Sequence, residues 1–568
     1  MSKEAGLRVT LAALNSQYVH SALAPWCLRA GLSTYGQYAH QPQVVEGTVN
    51  EPLATVAERI IHTQPQLLGL CCYIWNIQNL RELLPLLKAG LPDCIFVLGG
   101  PEVSFNAAET LDVCPQADYV IAGEGELAMA QLADALAEGK PPHGVPGLCY
   151  RGSTGVIINS PGQQLHEPPS PYCPEYFESL QGRMAYLETS RGCPYACAFC
   201  LSGRDDPPRY IPLPRVFEEI SALAASGART IKLVDRTFNA PRVRADAILA
   251  HIMGLNLPEG ITFHFEIAGD ILQDSTLCLI ENARPGLFQF EIGLQSLNED
   301  TLQQVRRRTD IPRLLSNVKR LLASGRAHVH LDLIAGLPGK GLAAFAAGFD
   351  QAYALEPHAL QLGFLKLLHG SAMRQEPEVY PCAFAAAPPY VVTSTPWMKP
   401  GDFATLHVVE QALDRLHNSG RFAWTLKYVT RGQKLSPFNL FLNLGQRMAQ
   451  QGSLSLDALT NLVFAALSEL LPGKAGILRN LMLLDRLAST PTSVLPDCLK
   501  AGRPRYYEVR RALAAAYPRV PGTTRAMGFL QGGTSPHIAF CDYQCPHPVT
   551  GRYPVQVVTL DSLLQHHS

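Results

Sequence analysis

AYLETSRGCPYACAFC, Ala185 to Cys200, joins a short apolar and aromatic run to a loop holding Cys193, Cys197 and Cys200 at spacings of four and three residues. Pro194 discourages a continuous helix, so the thiols belong to a loop at the end of a strand. Three thiolates on one loop suit a soft metal centre: an iron–sulfur cluster, zinc or copper(I). A closed structural zinc site needs a fourth ligand. The nearest cysteine upstream, Cys173, stands 20 residues before Cys193, and the next downstream is Cys278. The local arrangement is therefore three-sided and leaves one coordination position for a substrate or cofactor. A zinc knuckle and scattered buried thiols are the plain alternatives.

Outward from this loop the pattern is α/β. AYLETS, TIKLVD, TFHFEIAG, LFQFEIGLQS, HVHLDLIAGLPG and LQLGFLKLL read as six strands between about Ala185 and Leu368. Helical patterns separate them at Val216 to Ser226, Arg242 to Gly254, Thr276 to Ala283, Pro312 to Ser324 and Leu342 to Ala354. Six βα units are too few for an eight-stranded barrel and predict a partial one. Asp235, Glu266, Gln295 and Asp332 fall at strand ends, where α/β barrels place their chemistry. Upstream, RVTLAAL, QVVEGTV, LLGLCCY, IFVLGG and YVIAGEGE alternate with amphipathic segments and predict a doubly wound parallel sheet. Its polar or Gly-rich breaks, NSQYVH, YIWN, GGPEVS and GEGE, follow strands and point to a ligand at that edge. Leu148 to Pro161 reads as a hairpin around Ser153 to Gly155. The Pro-rich segment to Pro174 reads as a linker. Beyond Gly370 the pattern is mostly helical to about Ala516, then strand-like at HIAFCDYQC and VQVVTL.

Composition narrows the class. Lys+Arg 47 against Asp+Glu 48 gives a net charge of −1 in 568 residues, which excludes an acidic disordered chain and a polybasic nucleic-acid coat. The longest apolar runs, such as Leu67 to Trp75, are too short for a membrane span. MSKEAGLRVT lacks the apolar stretch of a signal peptide. The 15 cysteines are accordingly expected to stay reduced, in the cytoplasm, as buried thiols, metal ligands or catalytic groups.

RGCPYACAFC resembles the signature of the radical S-adenosylmethionine (SAM) superfamily. The resemblance implies that Cys193, Cys197 and Cys200 hold three irons of a 4Fe-4S cluster whose fourth iron chelates SAM, with Phe199 beside the adenine. IGLQSLNEDTLQQVRRRTD is similar to the fourth-strand and following-helix segment of methylthiotransferases, oxygen-independent coproporphyrinogen oxidases and cobalamin-dependent members. It implies Gln295 at the SAM ribose and Arg307 at its carboxylate, with Arg306 and Arg308 flanking. By the same resemblance Glu266 meets the ribose, Asp332 lies by the SAM site, and Asp235 lies near the SAM amino end. A surface ion pair or a loop cap is the plain reading of each carboxylate.

LGLCCYIWN, FVLGGPEVSFN and YVIAGEGE resemble the Rossmann-like cobalamin-binding domain found before many radical SAM cores. The implied contacts are Asn15, Tyr18 and His20 in the first loop, and Tyr73, Trp75 and Asn76 in the second. Gly99, Gly100, Glu102, Val103, Gly123 and Glu124 follow in the other two. Small residues such as Gly99 and Gly100 would let backbone approach a flat cofactor. The DxHxxG motif that supplies a histidine to cobalt elsewhere is absent, so cobalamin would bind without one. The implied layout is a cobalamin domain at 1–145, a hairpin and linker at 146–182, a partial (β/α)6 barrel core at 183–369 and a mostly helical domain of unknown role at 370–568.

The whole resembles a cobalamin-type radical SAM subfamily with a C-terminal domain of unknown function. It implies reductive cleavage of SAM to a 5′-deoxyadenosyl radical and methyl transfer to an unactivated carbon through methylcobalamin. An electron donor such as flavodoxin or ferredoxin and a small-molecule or peptide substrate are the implied partners, with no membrane. Radical rearrangement or cyclisation, methylthiotransferase-like tRNA modification, and a cobalamin- or redox-sensing module are the alternatives. Two C-terminal features stand apart. Cys541, Cys545 and His547 form a candidate second metal site. Arg503, Arg505, Arg510, Arg511, Arg519 and Arg525 lie among aromatics as a candidate RNA-facing patch, with a solvated helix face as the plainer reading.

Overall fold

The computed structural model describes residues 4–203, 207–500, 506–519, 521–532 and 537–565. Arg503 and Arg505 of the candidate basic patch lie outside the described residues.

The N-terminal unit alternates β1 (Ala5–Asn15), α1 (Ala24–Tyr35), β2 (Ala39–Thr48), α2 (Leu53–His62), β3 (Leu67–Cys71), α3 (Ile77–Gly90), β4 (Ile95–Gly99), α4 (Ala107–Val113), β5 (Tyr119–Ile121) and α5 (Glu126–Ala137). The hairpin β6 (Leu148–Gly152) and β7 (Gly155–Ile158) completes it. The sheet order is β2-β1-β3-β4-β5-β6-β7, with the first five strands parallel and the last two antiparallel. Alternate residues serve opposite faces. Val9, Leu11 and Leu67 pack with Leu32 of α1 and Leu132 of α5; Leu14, Leu68 and Leu70 pack with Ile60 of α2 and Leu83 of α3. Strand order reverses between β1 and β3, so the loops after these two strands border the crevice where such sheets take ligands.

The linker carries a short helix, α6 (Pro174–Ser179). The core sheet is β15-β14-β13-β12-β11-β8, all parallel. Its strands are β8 (Ala185–Leu187), β11 (Thr230–Leu233), β12 (Thr262–Ile267), β13 (Phe288–Gln295), β14 (His328–Ala335) and β15 (Ala359–Phe364). The sheet does not close: β8 and β15 are its two edges, a partial barrel. Between β8 and β11 a two-residue ladder, β9 (Ser190–Arg191) with β10 (Arg209–Tyr210), straddles the cysteine loop. Helices α7 (Leu213–Ala225), α8 (Arg242–Gly254), α9 (Asp274–Asn282), α10 (Glu299–Gln304), α11 (Ile311–Ser324) and α12 (Leu342–Tyr353) follow the strands. The convex face is apolar: Phe263, Phe265, Phe288, Phe290, Val329 and Leu331 are all at most 1% exposed and pack on these helices.

The C-terminal part is mainly helical, with helices Pro400–Leu413, Pro437–Gln451, Leu456–Leu470 and Ala475–Ser489. A three-stranded antiparallel sheet, Arg525–Leu530, His537–Asp542 and Gln556–Thr559, lies near its end. Phe349 of α12 meets Phe438 and Phe441 edge to face, and one apolar core runs from the barrel into these helices. No helix among the described residues is long and apolar enough to cross a membrane.

Candidate functional site

The cysteine loop is held from three sides. The Ala198 N–H donates to the Val305 carbonyl at 2.9 Å, and the Ala198 carbonyl accepts from the Met373 N–H at 2.9 Å. Gly203 lies flat on the loop: a Cβ there would fall 1.7 Å from the Tyr195 carbonyl oxygen, so no side chain fits. Cys197 is 9% exposed, and Cys193 and Cys200 are half-buried. Burial pushes the Cys197 thiol up, and Arg307 beside it pulls the other way. The Arg307 Nη1 lies 3.9 Å from Cys197 Sγ, its Nη2 donates to the Gly293 carbonyl at 2.7 Å, and its Nε is buried without a partner. Arg306 pairs instead with Glu376 at 2.5 Å, and Arg308 is exposed. Of the three consecutive arginines, Arg307 is the one that faces the thiols. Thr237 Oγ1, 3.3 Å from Cys193 Sγ, also flanks the loop. No three His, Cys, Asp or Glu side chains among the described residues are close enough to share one metal ion. Cysteines that bind separate irons of a cluster are not required to be that close.

The concave face beyond the loop is polar. Lys232 Nζ lies 3.1 Å from Glu291 and 3.6 Å from Glu266, and His264 Nε2 lies 3.0 Å from Glu291. Burial opposes ionisation of Glu291, yet His264 and Lys232 bring it down to about 2. Burial pushes Asp332 up to about 8, with repulsion from Glu291 and Glu266 adding to it. Asp332 Oδ1 is 3.2 Å from His330 Nε2 but makes no hydrogen bond. Gln295 ends β13 at φ +61°, where the register with β14 shifts. Its amide fills the space a side chain at Gly293 would need, with Nε2 only 2.0 Å from such a Cβ. Glu266 lies 3.6 Å from the exposed Arg236, and Phe199 is half-buried against the apolar core. Asp235 is different. It is 2% exposed and accepts from Thr189 N at 3.0 Å, Thr189 Oγ1 at 2.7 Å and Ser190 Oγ. Burial pushes its carboxyl up despite these bonds. Asp235 thus ties β11 to the turn that feeds the cysteine loop.

The N-terminal residues divide in the same way. Trp75 is 48% exposed and stacks on Tyr73 with centroids 4.3 Å apart; Tyr18 is 71% exposed. His20 Nδ1 lies 2.6 Å from the Tyr186 hydroxyl of β8, and burial holds its imidazole below the ordinary range. Trp75 and Tyr18 thus present surface at the loops after β3 and β1, with Tyr73 and His20 half-buried beside them, and Gly123 lies exposed after β5. Gly123 sits at φ +89° with open space where a Cβ would be. Asn76, by contrast, is fully buried: its amide donates to the Leu14 and Cys71 carbonyls at 3.1 and 3.0 Å, and its oxygen accepts from Tyr73 N at 2.8 Å. It pins the ends of β1 and β3 together. Gly100, at φ +117°, is required by the protein's own backbone, since a Cβ there would lie 2.5 Å from the Cys72 carbonyl oxygen. Gly99 meets nothing closer than 3.6 Å, so the steric need expected for the pair rests on Gly100 alone and arises within the fold. Val103 is 1% exposed.

Three clamps join this unit to the core, and sequence reasoning saw only one member of each. Glu46 accepts from Asn15 at 2.7 Å, Ala22 N at 2.8 Å and Arg183 at 2.5 Å. Arg191 reaches Glu124 at 3.0 Å, Glu126 at 2.5 Å and Glu188 at 2.8 Å, and Arg209 also pairs with Glu124. Buried Glu102 accepts from the Tyr390 hydroxyl at 2.5 Å, which lies 3.2 Å from His369, itself 3.2 Å from Asn106. Asn15, Glu102 and Glu124 are thus engaged by protein partners at the seam. At the other end, Cys541 is buried in its strand, while Cys545 and His547 line a separate cavity.

Residues 10–133 match the family model of the B12 binding domain, 187–347 that of the radical SAM superfamily, and 378–518 that of DUF4080, a protein family of unknown function. The chain is 27% identical over 317 residues to the 2-(S-pantetheinyl)-carbapenam-3-carboxylate methyltransferase of Streptantibioticus cattleyicolor, covering 50% of this chain and 44% of that one. It is 26% identical over 318 residues to the cobalamin-dependent radical SAM methyltransferase TokK of Streptomyces tokunonensis, covering 52% and 46%. The chain therefore spans about half the length of the curated relatives it matches. Two solved structures share its fold. One is the radical S-adenosylmethionine methyltransferase TsrM from Kitasatospora setae with cobalamin and a [4Fe-4S] cluster bound (TM-score 0.55, 19% identity, 68% of this chain and 78% of that one). The other is the cobalamin-dependent S-adenosylmethionine radical enzyme OxsB with aqua-cobalamin and S-adenosylmethionine bound (0.58, 15%, 84% and 78%).

Proposed function

We propose, for a chain that belongs to the B12-binding radical SAM proteins with a C-terminal DUF4080 domain, that it is a cobalamin-dependent methyltransferase acting on an unactivated carbon of a small molecule or peptide. The carrying observation is Arg307 standing between the cysteine loop and the polar concave face, with a buried nitrogen that has no partner. When bound, the cluster, SAM and cobalamin would supply a 5′-deoxyadenosyl radical and a transferable methyl group.

This chain's own residues prepare for that chemistry. Cys193, Cys197 and Cys200 hold the cluster, and Arg307 offers a guanidinium fork to the SAM carboxylate. Gln295 and Glu266 offer an amide and a carboxylate to the ribose, and Phe199 offers a ring edge to the adenine. Asp332, with its carboxyl raised to about 8, can present a neutral O–H donor near neutral pH. Tyr18 and Trp75 supply exposed rings beside half-buried Tyr73 at the loops after β1 and β3, and Gly123 supplies open backbone after β5, for a flat macrocycle. Asp235, Asn76, Glu102 and Glu124 position the segments that carry these groups through bonds to protein partners. Enclosing the reaction between two clamped units keeps a radical from water. The electron comes from a small cytoplasmic donor such as flavodoxin or ferredoxin.

Anaerobically reconstituted protein with SAM and a reductant should form 5′-deoxyadenosine, and Cys197→Ala should reduce that to background. Methyl-labelled SAM should pass label to product; a product without label would favour rearrangement or cyclisation. SAM turnover by cluster-free protein would overturn the proposal. A cobalt-free preparation that still turned over would remove the cobalamin part alone.

A further inference from the structure

We propose that the cavity at the opposite end of the barrel is a second ligand site, for a largely apolar small molecule carrying one anionic group. The cavity encloses about 910 Å³, within the range of sites for drug-sized ligands. Its place in the fold sets it apart from the SAM surface. His328, the first residue of β14, lines it. Strands advance about 3.3 Å per residue, so Asp332 stands about 13 Å further along the same strand. The cavity therefore lies at the amino ends of the strands, and the cysteine loop at the carboxyl ends.

Its walls are made for the purpose by irregular backbone. Two π-helical turns, Asp414–Asn418 and Tyr428–Gly432, bring His417 and Arg431 to the lining. Such wide turns cost hydrogen-bond regularity and cluster at functional sites. The other wall is a strap, Cys545 to Pro554, anchored by Arg552. That guanidinium donates to the Gly420 carbonyl at 2.9 Å and Asp485 at 2.7 Å, and lies 4.1 Å over the Trp424 ring. Gly286, at φ +80°, lets the strap close on the barrel: a Cβ there would lie 2.5 Å from the Pro548 carbonyl oxygen.

The lining chemistry selects the ligand. Tyr353, Trp424 and Tyr553 supply aromatic wall. Burial holds His328 near 3 and His358 and His417 near 4, so the imidazoles are neutral hydrogen-bonding groups at neutral pH. Asp350 is engaged by Ser436 and the Phe438 N–H, both at 2.7 Å. At the mouth, half-exposed Lys427 and Arg431 share the single carboxylate of Glu356 at 3.1 and 2.7 Å. Two cations share one anion at the mouth, while the other lining carboxylate, Asp350, is turned to Ser436 and the Phe438 N–H, so the surplus positive charge at the mouth is left to be met by a ligand.

The full-length protein can be titrated with 8-anilinonaphthalene-1-sulfonate and with neutral N-phenyl-1-naphthylamine, which lacks the sulfonate. One equivalent of the sulfonate should bind. The double variant Lys427→Ala/Arg431→Ala, altered only in half-exposed side chains, should weaken it about tenfold and leave the neutral dye within about twofold. Trp424→Ala should weaken both dyes. Absence of one-to-one binding, or binding indifferent to these variants, overturns the site. Equal affinity for the two dyes in the unaltered protein overturns the anionic group.

Discussion

The molecule contains two parallel sheets that handle their faces differently. In the N-terminal sheet both faces meet helices, and β3 is buried at every residue. In the core sheet only the convex face meets helices. The concave face keeps Lys232, His264, Glu266, Glu291, His330 and Asp332 together as a polar layer. A doubly wound sheet places its ligand outside the strand ends, because its faces are already occupied. A half-open barrel has a whole face to offer. The contrast explains why the N-terminal crevice shows a few exposed rings and an open glycine, whereas the core shows perturbed carboxyls.

The largest test of this contrast is stability. Leu70→Ala in β3 should lower the unfolding free energy of the N-terminal unit by about 2–5 kcal/mol in denaturant titration. Glu266→Gln on the concave face, whose two cationic partners stand 3.6 Å away, should cost less than about 1 kcal/mol and act on SAM binding instead. Equal losses would break the contrast. Next, Arg307→Lys replaces a planar fork by a point charge and should weaken SAM binding to the reconstituted protein about tenfold in equilibrium dialysis, with unchanged thermal stability. Unaltered SAM affinity would mean that the concave face is not where SAM sits.

A further test is a pH slope. The folded Asp332 carboxyl titrates at about 8 against an ordinary 3.8. The unfolded chain therefore releases its proton first, and stability falls as pH rises from about 4 to about 8. Asp332→Asn should flatten that fall in thermal midpoints. Glu291, held near 2, acts oppositely: its stabilisation is complete above the ordinary carboxyl range and is lost as pH falls toward 2. A profile for Asp332→Asn that still declines between pH 5 and 8 as in the unaltered protein would assign the slope elsewhere.

Most of the architecture was legible because each unit obeys a local rule. Uninterrupted apolar runs marked the strands of the N-terminal sheet, and the spacing of Cys193, Cys197 and Cys200 marked the loop. The concave network was also written in the residues, in the alternation of HVHLDL and TFHFEI, but reading only the strand ends picked out Asp332 and Glu266 and passed over His330, His264 and Lys232. The seam was not legible. Nothing local in Glu46, Arg191 or Tyr390 announces a seam partner 65 to 288 residues away. For the same reason the sequence does not show that Asn76 and Glu102, expected at the cofactor, also bond to protein partners. The cavity below the barrel depends on two π-turns and a strap from distant parts of the chain, none of which leaves a periodic trace.

Arg191 sits two residues before Cys193 while its guanidinium grips Glu124 and Glu126 across the seam. Prising the two units apart would pull directly on the segment that carries Cys193. Opening of the seam and displacement of Cys193 are then mechanically one event.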